Sequence, residues 1–336
     1  MVSLVCGSGA WGTVLAQLLA DKNEPVYLFC HTQLIADEIN NIHTNSTYLP
    51  KKPVLNKNIK AFPITAINEY IEKADFIFIV VASPFYRQTL KQIKPYLRPD
   101  HIIVSATKGM EENTDKSILE IASEEFSGAI LKKQFALLSG PNLAGEIFTG
   151  KPAATVIAAH NQVLAKKVQN LLGSTQLRPY ISSDLIGVEY GGILKNVIAI
   201  AAGILDALEL GSNAKAALLV RGLAEMKRFA VASGAKEKTI TGLAGFGDLI
   251  TTCLGPQSRN YNVGYRIGKG ESLPAITKSM VSIAEGVKTC KVIKELAQKK
   301  KIPMPITEAV FQVLYKNLSI KETIQLLMTR ELKEED

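Results

Sequence analysis

Six short, continuous runs of apolar, β-rich residues punctuate the first half of the chain: VSLVC at 2–6, VYLFC at 26–30, DFIFIVVA at 75–82, IIVSA at 102–106, FALLS at 135–139 and ATVIAA at 154–159. Runs without in–out alternation mark strands buried on both faces, as in a parallel sheet covered by helices. The first run passes by way of six residues into a helical pattern, TVLAQLLAD; the second leads into a polar stretch rich in Asn and Thr. From about residue 184 the texture changes to long helical patterns, LIGVEYGGILKNVIAIAAGILDAL and NAKAALLVRGLAEMKRFAVASG, and no strand-like run follows. Alternating strands and helices followed by helices alone predict an α/β fold: a doubly wound, mainly parallel sheet over residues 1–183, then an all-α C-terminal domain over 184–336.

Composition narrows the class. A chain of 336 residues with 47% hydrophobic content supports two sizeable cores. No apolar run approaches the ~20 residues that cross a bilayer, and no basic segment precedes an apolar one at the N-terminus. The expectation is a cytoplasmic protein without an integral membrane segment. Cys6, Cys30, Cys253 and Cys290 are scattered, with no CxxC pair and no adjacent histidine, which argues against a disulfide framework or a metal site. A formal charge of +8 suits anionic small ligands, and by itself suits nucleic acid as well. The one dense basic run, Lys299 to Lys301, follows a helical pattern and precedes Pro303, as a solvated helix end does. No nucleic-acid partner is expected.

Chemistry concentrates first at GSGAWG, residues 7–12, directly after the first strand and at the start of the first helix. There Gly7 permits a tight turn, Gly9 lets backbone approach a pyrophosphate and Gly12 lets helix and strand pack closely, the pattern of a Rossmann-like dinucleotide site. The pyrophosphate would rest on the helix N-terminus, where unpaired N–H groups and the dipole favour an anion. Trp11 stands either as ordinary packing or as a wall beside the cofactor. Ligands of open α/β sheets gather at the carboxyl ends of strands. Ser83-Pro84, Lys108 and Ser139-Gly140-Pro141-Asn142 occupy such places.

The second concentration is Lys195-Asn196, the polar pair in the otherwise apolar run ILKNVIAIAAGIL at 193–205. Burying an unpaired ammonium costs on the order of several kcal/mol, so Lys195 is a candidate catalytic lysine unless its stem snorkels to water. GLAGFGDLITTC at 242–253 adds Asp248, Thr251 and Thr252, and GPQSRNYNVG at 255–264 adds Ser258, Arg259 and Asn260. Alone, Asp248 fits a helix cap after a glycine turn, and Ser258-Arg259-Asn260 fits a solvated turn. With Lys195 they form a base, a carboxylate and a phosphate anchor, Arg259 being able to bind phosphate bidentately.

On these residues the chain resembles the NAD(P)-dependent sn-glycerol-3-phosphate dehydrogenases of the bacterial type over nearly its whole length. The shared marks run in order: GSGAWG, NSTYLP at 45–50, ATKG at 105–108 with Gly109, SGPN at 139–142, KNVIAIAAGI at 195–204, NAKAAL at 213–218, GFGDLI at 245–250, QSRN at 257–260 and AEGV at 284–287. The resemblance implies that Lys195 is the proton acceptor and that Lys108 contacts substrate and nicotinamide. It implies that Gly140, Asn142, Asp248, Ser258, Arg259 and Asn260 line the substrate. Trp11, His31, Ala144, Arg259, Ile283 and Glu285 would touch the cofactor beside Gly7, Gly9, Ala10 and Gly12. It further implies a homodimer that feeds glycerol phosphate into phospholipid synthesis. Ala10 stands where the family often has Ser, and Asn142 where it often has Ser or Thr; backbone N–H groups and the amide can serve in their place.

The chemistry implied is hydride transfer between C2 of a small phosphorylated substrate and nicotinamide, with Lys195 exchanging the proton and no metal required. Burial and the charge of Lys108 would make Lys195 a weaker base, and Asp248 would oppose this. Rival readings are another hydroxyacid dehydrogenase, of the 6-phosphogluconate or β-hydroxyacid group, and a non-catalytic NAD(P) sensor. In the first group the catalytic lysine and asparagine lie one helical turn apart, and here they are adjacent; a sensor has no reason to keep Lys195, Asp248 and Arg259 together. The second strand ends Phe29-Cys30-His31-Thr32 without the carboxylate that excludes a 2′-phosphate, so both NAD and NADP are expected.

Overall fold

The computed structural model describes residues 1–51, 53–280, 284–332 and 334. The chain divides into two units, Met1–Glu189 and Tyr190–Asp336.

In the first unit, eight strands form one sheet: β1 (Ser3–Cys6), β2 (Val26–Cys30), β3 (Ile59–Pro63), β4 (Phe76–Ile79), β5 (Ile102–Ser105), β6 (Phe135–Ser139), β7 (Ala153–Ala159) and β8 (Leu177–Ser182). Their spatial order is β3-β2-β1-β4-β5-β6-β7-β8. Every neighbouring pair is parallel except β6 and β7, which run antiparallel with Ala136 opposite Ala159. Seven helices connect the strands: α1 (Ala10–Ala20), α2 (Gln33–Ile42), α3 (Ser83–Ile93), α4 (Ile118–Glu125), α5 (Gly128–Gln134), α6 (Ala144–Phe148) and α7 (Gln162–Leu172). Val5, Leu28, Phe78, Val104, Leu138 and Ile157 share one core with Leu15 and Leu19 of α1, Ile39 of α2 and Val168 of α7. The alternate positions Leu4, Phe29, Ile77 and Ile103 are equally buried. Covering both faces is why these strands lack alternation. Each such side chain contributes about 1.5–3 kcal/mol relative to exposure.

The strands missing from the hydrophobic pattern, β3 and β8, are the two edges of the sheet. Lys60 on β3 and Arg178 and Tyr180 on β8 are exposed, Pro63 ends β3 and Pro179 sits within β8. Charges and prolines are what edge strands carry to blunt their unpaired backbone, and they erase the apolar signal. Chain order runs outward from β1 through β2 to β3, then returns to β4 on the other flank of β1. The switch point of the sheet therefore lies between β1 and β4, where ligands of such sheets collect.

The second unit is helical. It is built from most of α8 (Leu185–Ala207), then α9 (Gly211–Ala232), α10 (Glu237–Ile240), α11 (Asp248–Cys253), α12 (Arg259–Gly268), α13 (Leu273–Ser279), α14 (Glu285–Lys299), α15 (Pro305–Lys316) and α16 (Ile320–Met328). The division between units falls inside α8. Among the described helices, α8 is the one long and apolar enough by length and composition to cross a bilayer, which corrects the reading that no such run exists; Glu189 and Lys195 interrupt it in the sequence. Of its most apolar window, 89% is buried inside the fold, so this surface is already covered by protein. Two glycines bring α8 and α12 into backbone contact: a Cβ on Gly203 would lie 2.0 Å from the Tyr261 carbonyl, and one on Gly264 1.9 Å from that of Ile200. This close approach sets α12, with Ser258 at its N-cap, against the helix that carries Lys195.

Candidate active site

Within the first unit the glycine turn occupies the switch point. Gly7 has φ +114°, and a Cβ there would meet the Val80 carbonyl oxygen at 2.6 Å, so no other residue fits without shifting the end of β4. A Cβ on Gly12 would stand 1.9 Å from the Gly7 carbonyl oxygen. Gly9 is different: a Cβ there would meet nothing within 4 Å, which leaves room for a ligand against the backbone. Gly9 is also the N-cap of α1, with no side-chain cap and no acidic residue in the first turn. These residues fit a dinucleotide pyrophosphate. The turn is braced by Asn45, fully buried, whose amide donates to the Ser8 carbonyl and to the Thr13 hydroxyl, both at 2.8 Å. NSTYLP thus has a structural task that the sequence did not disclose.

Around the turn, Ala10 and Trp11 are half-buried and pack on the core, as do Tyr48 and Ala144. His31 follows β2, exposed, with its ring centroid 6.2 Å from that of Tyr48 in an edge-on arrangement. Thr107 ties the end of β5 to that of β4 by donating to the Val81 carbonyl at 2.8 Å. Lys108 comes next, half-buried, its Nζ 3.5 Å from the Gly140 carbonyl at the end of β6. Asn142 donates to the Ala154 carbonyl at 3.1 Å and accepts from the Thr155 hydroxyl at 2.9 Å, so its amide also anchors the SGPN loop to β7. Lys108, Gly140 and Asn142, separate in sequence, thus meet at the ends of two neighbouring strands. Ser83 and Pro84 form the first turn of α3.

In the second unit, Lys195 is 7% exposed and does not snorkel. Its Nζ donates to Asp248 Oδ1 and, at 2.7 Å, to Thr252 Oγ1. Asp248 opens α11 after a π turn over Leu243–Gly247; it is not the N-cap that its glycine neighbours suggest, and its carboxylate is turned to the lysine. Thr252 lies one helical turn later and donates its own proton to the Asp248 carbonyl at 2.6 Å, which leaves its lone pairs toward the ammonium. The i, i+4 spacing of Asp248 and Thr252 is the signal that would have singled out this threonine. Asn196, beside Lys195, accepts from Asn260 Nδ2 at 2.9 Å, and Asn260 Oδ1 accepts from Gly286 N at 2.9 Å.

The three consecutive residues Ser258, Arg259 and Asn260 separate in space. Ser258 accepts from Tyr261 N at 3.2 Å as the N-cap of α12, Asn260 is buried in the network just described, and Arg259 is exposed on the first turn. A helix N-terminus with an adjacent guanidinium is an anion site. Glu285 opens α14 and is half-buried; Ile283 lies outside the described residues. Among the described residues, no group of three or more His, Cys, Asp or Glu side chains has the arrangement to hold a metal ion.

Comparison with known proteins places the chain in a family. Residues 3–165 match the family model for the N-terminus of NAD-dependent glycerol-3-phosphate dehydrogenase, and residues 184–325 match the model for its C-terminus. The chain is similar to the glycerol-3-phosphate dehydrogenase [NAD(P)+] of Nitratidesulfovibrio vulgaris, 41% identical over 331 residues that cover 98% of this chain and 99% of that one. It is 40% identical to the protein of the same name from Geobacter sulfurreducens, with 98% of each chain covered. A crystal structure of glycerol-3-phosphate dehydrogenase from Coxiella burnetii superposes with a TM-score of 0.90 at 35% identity, covering 98% of this chain and 99% of that one.

Proposed function

The chain belongs to the NAD-dependent glycerol-3-phosphate dehydrogenase family, and from that premise we infer how its own residues interconvert sn-glycerol 3-phosphate and dihydroxyacetone phosphate. It is an NAD(P)-dependent oxidoreductase that supplies glycerol phosphate for phospholipid synthesis. The observation that carries the assignment of roles is Lys195, buried in an apolar helix with its ammonium on Asp248 and Thr252.

In the oxidative direction Lys195, as the neutral amine, accepts the proton of the C2 hydroxyl; in reduction, as the ammonium, it returns that proton to the C2 oxygen. Asp248 and Thr252 fix the direction of Nζ, and Asp248 balances the charge that the lysine gains. Arg259 and the α12 N-terminus hold the phosphate, which keeps C2 in place and removes the entropy cost of orienting it. Ser258, Asn260, Gly140 and Asn142 complete the substrate contacts in this reading, and Lys108 attracts the phosphorylated substrate and contacts the nicotinamide. Gly7, Gly9, Ala10, Trp11 and Gly12 would hold the pyrophosphate, with His31, Ala144 and Glu285 as further cofactor contacts. When bound, the nicotinamide supplies the hydride acceptor in oxidation and the hydride donor in reduction.

The test is a substrate panel with NADH and NADPH. Rapid oxidation of either cofactor is expected on adding dihydroxyacetone phosphate and, with NAD+ or NADP+ in its place, rapid reduction on adding sn-glycerol 3-phosphate, with none on adding 6-phosphogluconate or a 3-hydroxy acid. The reverse pattern would reject the reading. We further propose that the protein works in the cytoplasm as a homodimer. Sedimentation at twice the 36.5 kDa chain mass supports the dimer, and a fully active monomer rejects it.

A further inference from the structure

We propose that Arg87 and Glu111 are a positioning pair that holds Lys108 in place for the reaction. The inference rests on the reading of Lys108 as a contact for substrate and nicotinamide, and it goes beyond that reading by naming what aims the lysine.

Lys108 lies in the connection between β5 and α4. That segment has little regular structure: Gly109 takes φ +120°, Met110 and Ser117 form an isolated bridge, and Glu111 N donates to the Lys116 carbonyl at 2.8 Å. Irregular segments hold their shape only where something pins them. Here two pins bracket Lys108, and both lead to the same piece of the fold. One residue before it, the Thr107 hydroxyl donates to Val81 O at 2.8 Å, just past β4. Three residues after it, Glu111 receives a fork from Arg87 on α3, the helix that follows β4: Nε to Oε1 at 2.8 Å and Nη2 to Oε2 at 2.7 Å.

An exposed ion pair would carry little weight, but this one is bidentate, networked and largely sheltered. The Arg87 and Glu111 side chains are 22% and 20% exposed. The remaining guanidinium nitrogen, Nη1, bonds Glu125 at 2.7 Å and Glu124 at 2.8 Å, both on α4. Arg87 therefore joins α3, the Lys108 connection and α4. The α4 end of that connection is held by a capping box between Ser117 and Glu120 and by Leu119 N, which donates to buried Glu189 at 2.7 Å. The hydrogen bonds from Arg87 hold the Glu111 carboxyl down at about 2, so the fork stays charged across the pH range in which the enzyme is assayed. A displacement of about 1 Å in a positioning group costs on the order of 10²-fold in rate.

The experiment is a double-mutant cycle on the full-length protein: Arg87→Met, Arg87→Lys, Glu111→Gln, Lys108→Ala and the Arg87→Met/Lys108→Ala double variant. Each is assayed with dihydroxyacetone phosphate and NADH well below its melting temperature. Arg87→Met is expected to lower kcat/KM by tenfold or more in the wild-type background and by less than twofold beside Lys108→Ala, because no lysine is left to misplace. Arg87→Lys, which keeps the charge and loses the fork, should recover only part of the activity. An equal penalty in both backgrounds, or a lowered melting temperature with kcat/KM unchanged, makes the pair merely structural and overturns the proposal. If Arg87→Met does not fold, Glu111→Gln beside Lys108→Ala completes the same cycle. A Lys108→Ala protein with unaltered kcat/KM overturns the reading of Lys108 and the positioning pair together; an impaired Lys108→Ala beside normal Arg87 and Glu111 variants overturns the pair alone.

Discussion

At the scale of single residues, Lys195 shows how a side chain that is poor at packing becomes useful. Its ammonium is directed by Asp248 and by a threonine whose own proton is committed elsewhere, so the group we propose as the proton acceptor has a defined position before substrate arrives. Lys195→Met should therefore lower kcat by about 10²- to 10⁴-fold, the usual worth of a general acid–base group. NADH affinity, followed by fluorescence titration, should stay within a few fold, because the glycine turn is untouched. More than a tenth of wild-type turnover at saturating substrate would end the assignment. His31 makes a second residue-scale case. It stands exposed after β2, where no carboxylate repels a 2′-phosphate. His31→Ala should lower kcat/KM with NADPH by about tenfold, the worth of one hydrogen bond to a charged group, and leave NADH nearly unaffected. An unchanged NADPH-to-NADH ratio would mean that the imidazole ignores the phosphate.

At the scale of elements, α15 begins without a side-chain cap from its own N-cap residue, Met304. Glu225 of α9 supplies the acceptor instead, taking hydrogen bonds from Ile306 N, from Thr307 N at 3.2 Å and from the Thr307 hydroxyl at 3.1 Å, while 1% exposed. Burial pushes its carboxyl up to about 7, against the opposing pull of those donors. The folded chain thus holds this proton more tightly than the unfolded chain, in which a glutamate titrates near ~4.3. The stability linked to it is complete below the unfolded value and is lost as pH rises through the folded value. Buried Glu189, lifted to about 8 by desolvation, acts in the same direction over a wider window. Glu225→Gln should therefore be more stable relative to wild type at pH 8 than at pH 5. Urea unfolding at the two pH values measures this, and an equal difference at both would show that burial does not raise the Glu225 carboxyl in the folded chain.

For the whole molecule the relevant quantity is charge. The formal excess of +8 faces a substrate whose phosphate ester carries roughly two negative charges at neutral pH. Long-range attraction of this kind is screened over a Debye length of about 10 Å at 0.1 M salt. Wild-type kcat/KM for dihydroxyacetone phosphate should fall as salt rises from about 50 to 300 mM, chiefly through KM. Arg259→Ala should raise KM at every salt concentration and flatten the slope. A salt-independent kcat/KM would show that the net charge serves solubility rather than capture.

The amino-acid sequence by itself determined those features whose physical cause is local. Strands covered on both faces are apolar at nearly every position, so β1, β2, β4, β5, β6 and β7 announce themselves, and the glycine turn has meaning because it stands between such a strand and a helix. A lysine in an apolar helix is likewise visible without any partner. Tertiary structure decided what depends on residues far apart in the chain. The edge strands β3 and β8 are identifiable only once they are paired, because charges and prolines replace their apolar signal. The reversal of direction between β6 and β7 is a matter of connection, not of composition. Asp248 and Thr252, 53 and 57 residues beyond Lys195, become its partners only because α11 packs beside α8; Asn45 braces Ser8 and Arg87 grips Glu111 for the same reason. Hydrophobic periodicity records which face of an element is buried. Hydrogen bonds between elements require their register, and register exists only in the folded chain.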